Sequence, residues 1–347
     1  MVMEIGVRVP CYRRWCRRAE AEAIATMAEA TGFASLWVRD HLVAPTGTRE
    51  ATAVRGLSDW MSAGASPADS ATTIAQYYAG DDWWIDPYAM WGFLAGITRR
   101  VRLGSDILVI PYRHPVVQAK LIGSLDVLSD GRMIIGTGSG HVPAEAAVLG
   151  VDFDARARLH DEYLRIIVAL LSEEEVSFEG EFHRFGPLRP MISPVQEPHP
   201  PIWIGGNGRR AIRRAVELGQ AWLPSVVEPE ALARGIDELH RVTSEQERAD
   251  VPDLALSMPS LIRLVDPQAP ATRRPPLQSE EAIDLLQRYA DLGVSHVSLA
   301  FPTPSAAVYL RQMELFAEQV LPAFPVEPSA GAATTTAQTR IIQGEAP

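Results

Sequence analysis

The sequence predicts a closed α/β barrel of the (β/α)₈ type, a TIM barrel with insertions. Three observations lead there. Strand-like and helix-like segments alternate along the chain, about eight such pairs fit into roughly 320 residues, and the chemically unusual residues recur just after the strand-like runs. Alternation of this kind implies parallel strands joined by helical crossovers. A doubly wound open sheet is the competing architecture, and it needs a strand-order reversal that a sequence does not display.

The elements follow in order. Residues 3–9 alternate and are β-rich. In residues 20–31, Ala21, Ile24, Ala25 and Ala28 share one helical face, and Gly32 stops the helix. Residues 34–38 form a short apolar strand that runs into Arg39, Asp40 and His41. A polar stretch with aromatic residues, about 42–85, reads as an insertion that is either a lid or a packing and oligomer surface, with Trp60, Trp83 and Trp84 in it. Residues 86–98 read as a helix capped by Asp86 with Pro87 at its first position. Then come a strand at 101–110, a helix at 114–128 closed by Ser129-Asp130-Gly131, and a strand at 132–137. Residues 155–171 carry Leu164, Ile167, Val168 and Leu171 at helical spacing. The Pro-rich excursion 173–199 holds a small hairpin near residues 178–182. Strands are expected at 202–204, 220–223, 254–265 and 295–300, and helices at 209–218, 229–249, 281–289 and 306–320. One barrel domain over 1–324 and a disordered, Ala/Thr/Pro-rich tail over 325–347 complete the reading.

Composition narrows the function. The chain has 347 residues, 47% of them apolar, enough for a large core, and a net charge of −11. That charge argues against nucleic acid or an anionic membrane as the main partner. No apolar stretch reaches membrane-spanning length, and the first residues lack the basic and apolar regions of a signal peptide, so a reducing cytoplasm is expected. Cys11 and Cys16 are the only cysteines and read as structural or incidental thiols. HExxH and Cys/His clusters are absent, so no metal site is expected; His160, His183, His199 and His240 read as surface residues.

The candidate site gathers where a barrel carries its chemistry, at the C-terminal strand ends. Asp40 and His41 follow the second strand, Asp106 lies within the third, Gly138-Ser139-Gly140-His141 follow the fourth, Gly205-Gly206-Asn207 the fifth, and Trp222 and Ser225 the sixth. A histidine titrates near working pH and suits proton transfer. A carboxylate inside an apolar strand, as at Asp106, needs a partner. The turn Gly205-Gly206-Asn207-Gly208 before a helix opening with Arg209 and Arg210 has the form of a phosphate cradle.

These segments resemble the bacterial luciferase-like flavin and deazaflavin oxidoreductases. The resemblance rests on residues 32–41 (GFASLWVRDH), 100–105 (RVRLGS), 111–115 (PYRHP), 125–132 (LDVLSDGR), 200–206 (PPIWIGG) and 219–222 (GQAW), in family order, over about residues 3–225. It implies a luciferase-like TIM barrel binding the deazaflavin coenzyme F420, with FMN as the alternative. It implies catalytic roles for His41, Asp40 and His141, with Asp40 orienting His41 or bonding the cofactor ring. Cofactor contacts would come from Asp40, Asp106, Ile107, Gly138, Ser139, Gly140, Gly205, Gly206 and Asn207. A non-proline cis peptide, common in the family, would fall at Asp106-Ile107. The family's sugar-phosphate dehydrogenases carry a catalytic Glu where His141 aligns, so a different substrate is expected. The implied reaction is hydride transfer between F420 and a small organic substrate. The alternative is a two-component FMN monooxygenase, which needs a flavin reductase partner; a non-catalytic flavin binder is the third. Dimers are common among relatives, so a homodimer is compatible with the resemblance.

Overall fold

Parallel strands that cannot bury both faces alone close into a ring, and that ring is the frame of this molecule. The computed structural model describes residues 3–43, 83–225, 228–259, 262–266 and 276–325. Most of the expected insertion and nearly all of the expected tail lie outside these residues. The strands are β1 (Glu4–Arg8), β2 (Ser35–Val38), β3 (Arg102–Ser105), β4 (Leu108–Val109), β5 (Met133–Gly138), β6 (Val176–Glu179), β7 (Arg184–Leu188), β8 (Ile202–Gly205), β9 (Ala221–Leu223), β10 (Asp253–Pro259) and β11 (Val294–Ala300). The helices are α1 (Arg18–Thr31), α2 (Pro87–Ile97), α3 (Pro115–Leu128), α4 (Pro143–Val148), α5 (Arg156–Ser172), α6 (Arg209–Leu218), α7 (Pro229–Glu245), α8 (Ser279–Asp291) and α9 (Ala306–Gln319).

The main sheet runs β3-β2-β1-β11-β10-β9-β8-β5-β4, and β3 also pairs with β5, which closes the ring. All its pairings are parallel. β3 and β4 are two halves of one stave, split where the Asp106-Ile107 peptide is cis. The staves therefore number eight, and the expected barrel is the fold. The hairpin β6–β7 is antiparallel and lies in the excursion, as expected.

Side chains alternate across each strand. Leu36, Ile135, Ile204, Trp222 and Leu256 face the helices in the main core, while Trp37, Ile134, Trp203, Ala221, Leu223 and Ala255 form a second cluster inside the ring. Trp37 fills the barrel centre because two neighbours are glycine. A Cβ on Gly104 would lie 2.6 Å from the indole, and one on Gly6 2.4 Å. Below it, Ser35, Trp37 and His296 hydrogen-bond at 2.7–2.8 Å, and His296 also bonds Glu4.

Local signals set the helix ends. Gly32, at φ 94°, closes α1, and the Asp86 side chain accepts from Tyr88 and Ala89 N–H at the start of α2. Arg132 begins no strand; it is buried and donates to the carbonyls of Ala95, Thr98, Val101 and Ser129, so it ties the end of α2 to the barrel. The described part of β10 ends at Pro259, and of the rest of the expected strand, residues 262–265 carry an isolated bridge at Leu264. His160 and His199 are buried, against the expectation of a surface position, because α5 and the strand lead-in turn them inward. Cys11 and Cys16 are buried free thiols. Among the described residues no helix is long and apolar enough to cross a membrane, and no cluster could hold a metal ion.

Candidate active site

The floor of the C-terminal mouth is a buried ionic group. Arg8, the last residue of β1, donates from Nε to both Asp106 oxygens at 2.9 and 3.1 Å and from Nη2 to Asp106 Oδ2. Ser257 from β10 and Ser298 from β11 donate to the same Oδ2 at 3.1 and 2.8 Å. Arg39 approaches the other oxygen at 3.6 Å. The Asp106 carboxylate is fully enclosed. The partner that a carboxylate in an apolar strand needs is thus internal, drawn from three other staves.

Asp40 and His41 sit on successive positions after β2, so they point to opposite sides. The Asp40 carboxylate is fully buried and turned outward. It receives Arg113 through both guanidinium nitrogens at 2.7 and 2.9 Å, and Val109 N–H at 2.9 Å. Burial pushes its carboxyl above the usual range, against the pull of Arg113. Arg113 is held on its other side by Asp86. Asp40 therefore fixes the β4–α3 loop and does not orient His41, because its oxygens are committed elsewhere.

The residue that orients His41 is Glu145. Its carboxylate, fully buried on the first turn of α4, bonds His41 Nδ1 at 2.9 Å and accepts from Leu42 and Val43 N–H at 2.6 and 3.2 Å. Burial alone would raise this carboxyl; the bonds from His41, Leu42 and Val43 hold it below the usual carboxylate range. An ionised carboxylate only accepts, so His41 carries a proton on Nδ1. The imidazole meets Trp84 edge-on at 4.6 Å between ring centres and His141 at 5.5 Å. His141, half-buried, is pushed down to about 3 by burial and by His41, so it is neutral. His41 and His141, expected together, do share the mouth.

The glycine turns have an internal reason. A Cβ at Gly138 would lie 2.6 Å from Ile107 Cδ1, and one at Gly205 2.5 Å from Ile107 Cγ2. Two neighbouring staves thus close around Ile107, which remains half-exposed as an apolar shelf. Gly206 N–H donates to the Leu223 carbonyl, and the Asn207 amide is spent on both backbone groups of Ser225. Both are therefore engaged within the protein, through the Gly206 N–H and the Asn207 side chain. The cationic groups nearby are Arg210 on the first turn of α6 and Arg156. Arg156 stacks over Phe153 at 3.7 Å and donates to the carbonyls of Gly140 and Phe153. Burial and Arg210 lower its pKa. Ser139 and Gly140 are half-exposed in the turn beneath it.

Sequence reading missed Arg8, Ser257, Ser298, Arg156 and Glu145. Only Glu145 had a local signal, a Pro143-Ala144-Glu145 start of the kind that opens a short helix.

The comparisons agree with this architecture. An uncharacterised protein of Mycobacterium tuberculosis is 28% identical over 296 residues, 84% of this chain and 91% of its own. A monooxygenase, RslO1 of Streptomyces bottropensis, superimposes with a TM-score of 0.73 at 19% identity, covering 93% of this chain and all of that one. An F420-dependent secondary alcohol dehydrogenase gives 0.72 at 18%, covering 94% and 100%. The FMN-bound oxygenating constituent of 3,6-diketocamphane monooxygenase from Pseudomonas putida gives 0.68 at 16%, covering 94% and 100%. Residues 16–327 match the family described as luciferase-like monooxygenase. A match over that span, on a closed parallel barrel whose polar residues converge at one mouth, means that this chain belongs to the luciferase-like monooxygenase family of oxidoreductases.

Proposed function

We propose that this chain is an F420-dependent oxidoreductase that moves a hydride between the deazaflavin and a small organic substrate, with His41 handling the accompanying proton. The observation that carries the reading is the His41–Glu145 pair. A buried carboxylate fixes the tautomer and orientation of the imidazole, which is what a proton-transfer group at a reaction centre requires.

The mouth fits a flavin-like group. Ile107 and the turns at Gly138 and Gly205 offer an apolar shelf, and Arg156 with Arg210 offers a cationic end for a phosphate. When bound, the deazaflavin supplies the hydride-donating or hydride-accepting carbon. The chain's own work is to hold that group, to shelter the mouth with Trp84, and to take or give a proton at His41.

The FMN-dependent monooxygenase remains the second reading, favoured by the near-equal likeness to RslO1 and to the alcohol dehydrogenase. It requires a flavin reductase partner. Parallel titrations with FMN and with F420 decide between them. Tight F420 binding with weak FMN binding is expected; the reverse, with oxygen uptake on adding reduced FMN, would establish the monooxygenase instead. Arg156→Gln with Arg210→Gln is expected to weaken binding of the chosen cofactor by about 10- to 100-fold.

A further inference from the structure

At the N-terminal end of the barrel, opposite the mouth, the segments that leave α6 and α7 border a cleft of about 380 Å³. Small-molecule sites begin at roughly 300 Å³. The lining includes Val216, Glu217, Leu218, Gln220, Gln246 and Arg248.

Arg248 is half-buried and held in one orientation. Its Nη1 donates to the carbonyls of Ala215, Val216 and Gly219 at 3.1, 2.7 and 2.9 Å, where α6 ends. Basic side chains commonly satisfy the last carbonyls of a helix. Here a single nitrogen does all of that. The Nε and Nη2 donors bond no protein group, and the guanidinium pairs with no carboxylate. The backbone is bent to place it there. Glu247, just past α7, has φ 51°, in the left-handed region that favours glycine. The turn is closed by Arg248 N–H on the Thr243 carbonyl at 3.2 Å. Backbone strain of this kind gathers at functional positions.

The rest of the lining matches an anion of modest charge. Gln220 accepts Ile202 N–H at its Oε1, 2.8 Å away, which leaves its NH₂ group as the free donor. The Gln246 side chain is exposed and bonds nothing in the fold. Glu217, the carboxylate of the lining, is engaged by Arg165. Leu218, half-buried, adds aliphatic surface. A planar guanidinium edge fits a carboxylate through two parallel hydrogen bonds. One such cation, with Glu217 close by, suits a single negative charge better than the double charge of a phosphate.

We propose that this cleft is a second ligand site, distinct from the mouth, for a small monocarboxylate with a short aliphatic chain. Its carboxylate sits on the unbonded edge of Arg248 and the NH₂ of Gln220, and its chain lies against Leu218. No cofactor is needed for the site to fill.

Butyrate and butyramide share a shape and differ in charge. Both are titrated into the full chain by ligand-observed NMR, with inorganic phosphate as the third ligand. Butyrate is expected to saturate, and to bind at least about tenfold more tightly than butyramide or phosphate. Gln246→Glu adds a negative charge at an exposed position that holds nothing together. It is expected to weaken butyrate by at least about tenfold while the melting temperature stays unchanged. Arg248→Lys keeps a cation for the α6 carbonyls but loses the fork, and is expected to lose most of the preference for butyrate over butyramide. Absence of saturable butyrate binding would overturn the proposal, as would equal binding of butyrate and butyramide or tighter binding of phosphate. Butyrate binding that survives both substitutions lies elsewhere on the chain and would overturn it too.

Discussion

At the scale of single residues, the site depends on carboxylates whose partners are far away in sequence. Glu145→Gln replaces an acceptor-only group with an amide that can also donate, so the His41 tautomer is no longer fixed. Turnover is expected to fall by about 10²-fold with the pH profile displaced, whereas binding of the cofactor stays near normal. An unchanged pH profile would mean that Glu145 only packs. Asp106→Asn removes a bidentate counter-charge from the buried Arg8. A loss of about 3–5 kcal/mol is expected in urea unfolding, and a loss below 1 kcal/mol would show that the serines and solvent compensate. The identity of Asp106, Asp40 and His41 as unusual residues was legible in the sequence. Their partners were not: Arg8, Ser257, Ser298 and Glu145 are ordinary residues until the ring closes and brings β1, β10, β11 and α4 to one end.

Among the elements, the turns after β5 and β8 are shaped by what packs between them. The three atoms nearest a Cβ at Gly138 all belong to the Ile107 side chain, whereas a Cβ at Gly205 also meets the Thr137 carbonyl at 2.9 Å. Gly138→Ala is expected to cost about 1–3 kcal/mol and to be largely rescued by Ile107→Ala. Gly205→Ala, pressed against a backbone that cannot move aside, should not be rescued by the same second change. Equal rescue of both would refute this account of the two glycines. The glycines themselves could be read from the sequence, but the Ile107 side chain packed against them could not. Periodicity located most helices within a few residues, since a one-sided apolar stripe such as Ala211, Ile212, Ala215 and Val216 needs no partner to be seen. It overlooked α4, whose six residues are too few to show a period.

For the molecule as a whole, the buried histidines set the pH response. His141, His160 and His296 are all lowered by burial from an ordinary value of 6.5, His141 to about 3. Below about 6.5 the unfolded chain takes up protons that the folded chain refuses, so stability falls with acidification across the interval from about 6.5 toward 3. Glu4 and Glu145, lowered in the fold from 4.5, add a further loss once pH drops below about 4.5. Melting temperature should therefore decline steadily from pH 7.5 to 5.5. A flat or rising curve over that range would contradict the neutral state of these imidazoles.

What the sequence determined by itself was the repeating strand–helix unit, the barrel that about eight such units build, and the strand ends at which polar residues gather. Those features are local: side-chain period, caps and turn residues act within a few positions along the chain. Only the tertiary structure decided the partnerships. It gave Asp40 to Arg113, His41 to Glu145, Asp106 to Arg8, and the space above Gly138 and Gly205 to Ile107. A closed ring makes neighbours of residues as far apart as 8 and 106 or 106 and 298. Once they are enclosed, the cost of an unpaired buried charge fixes which of them bond and which groups are left to face the mouth.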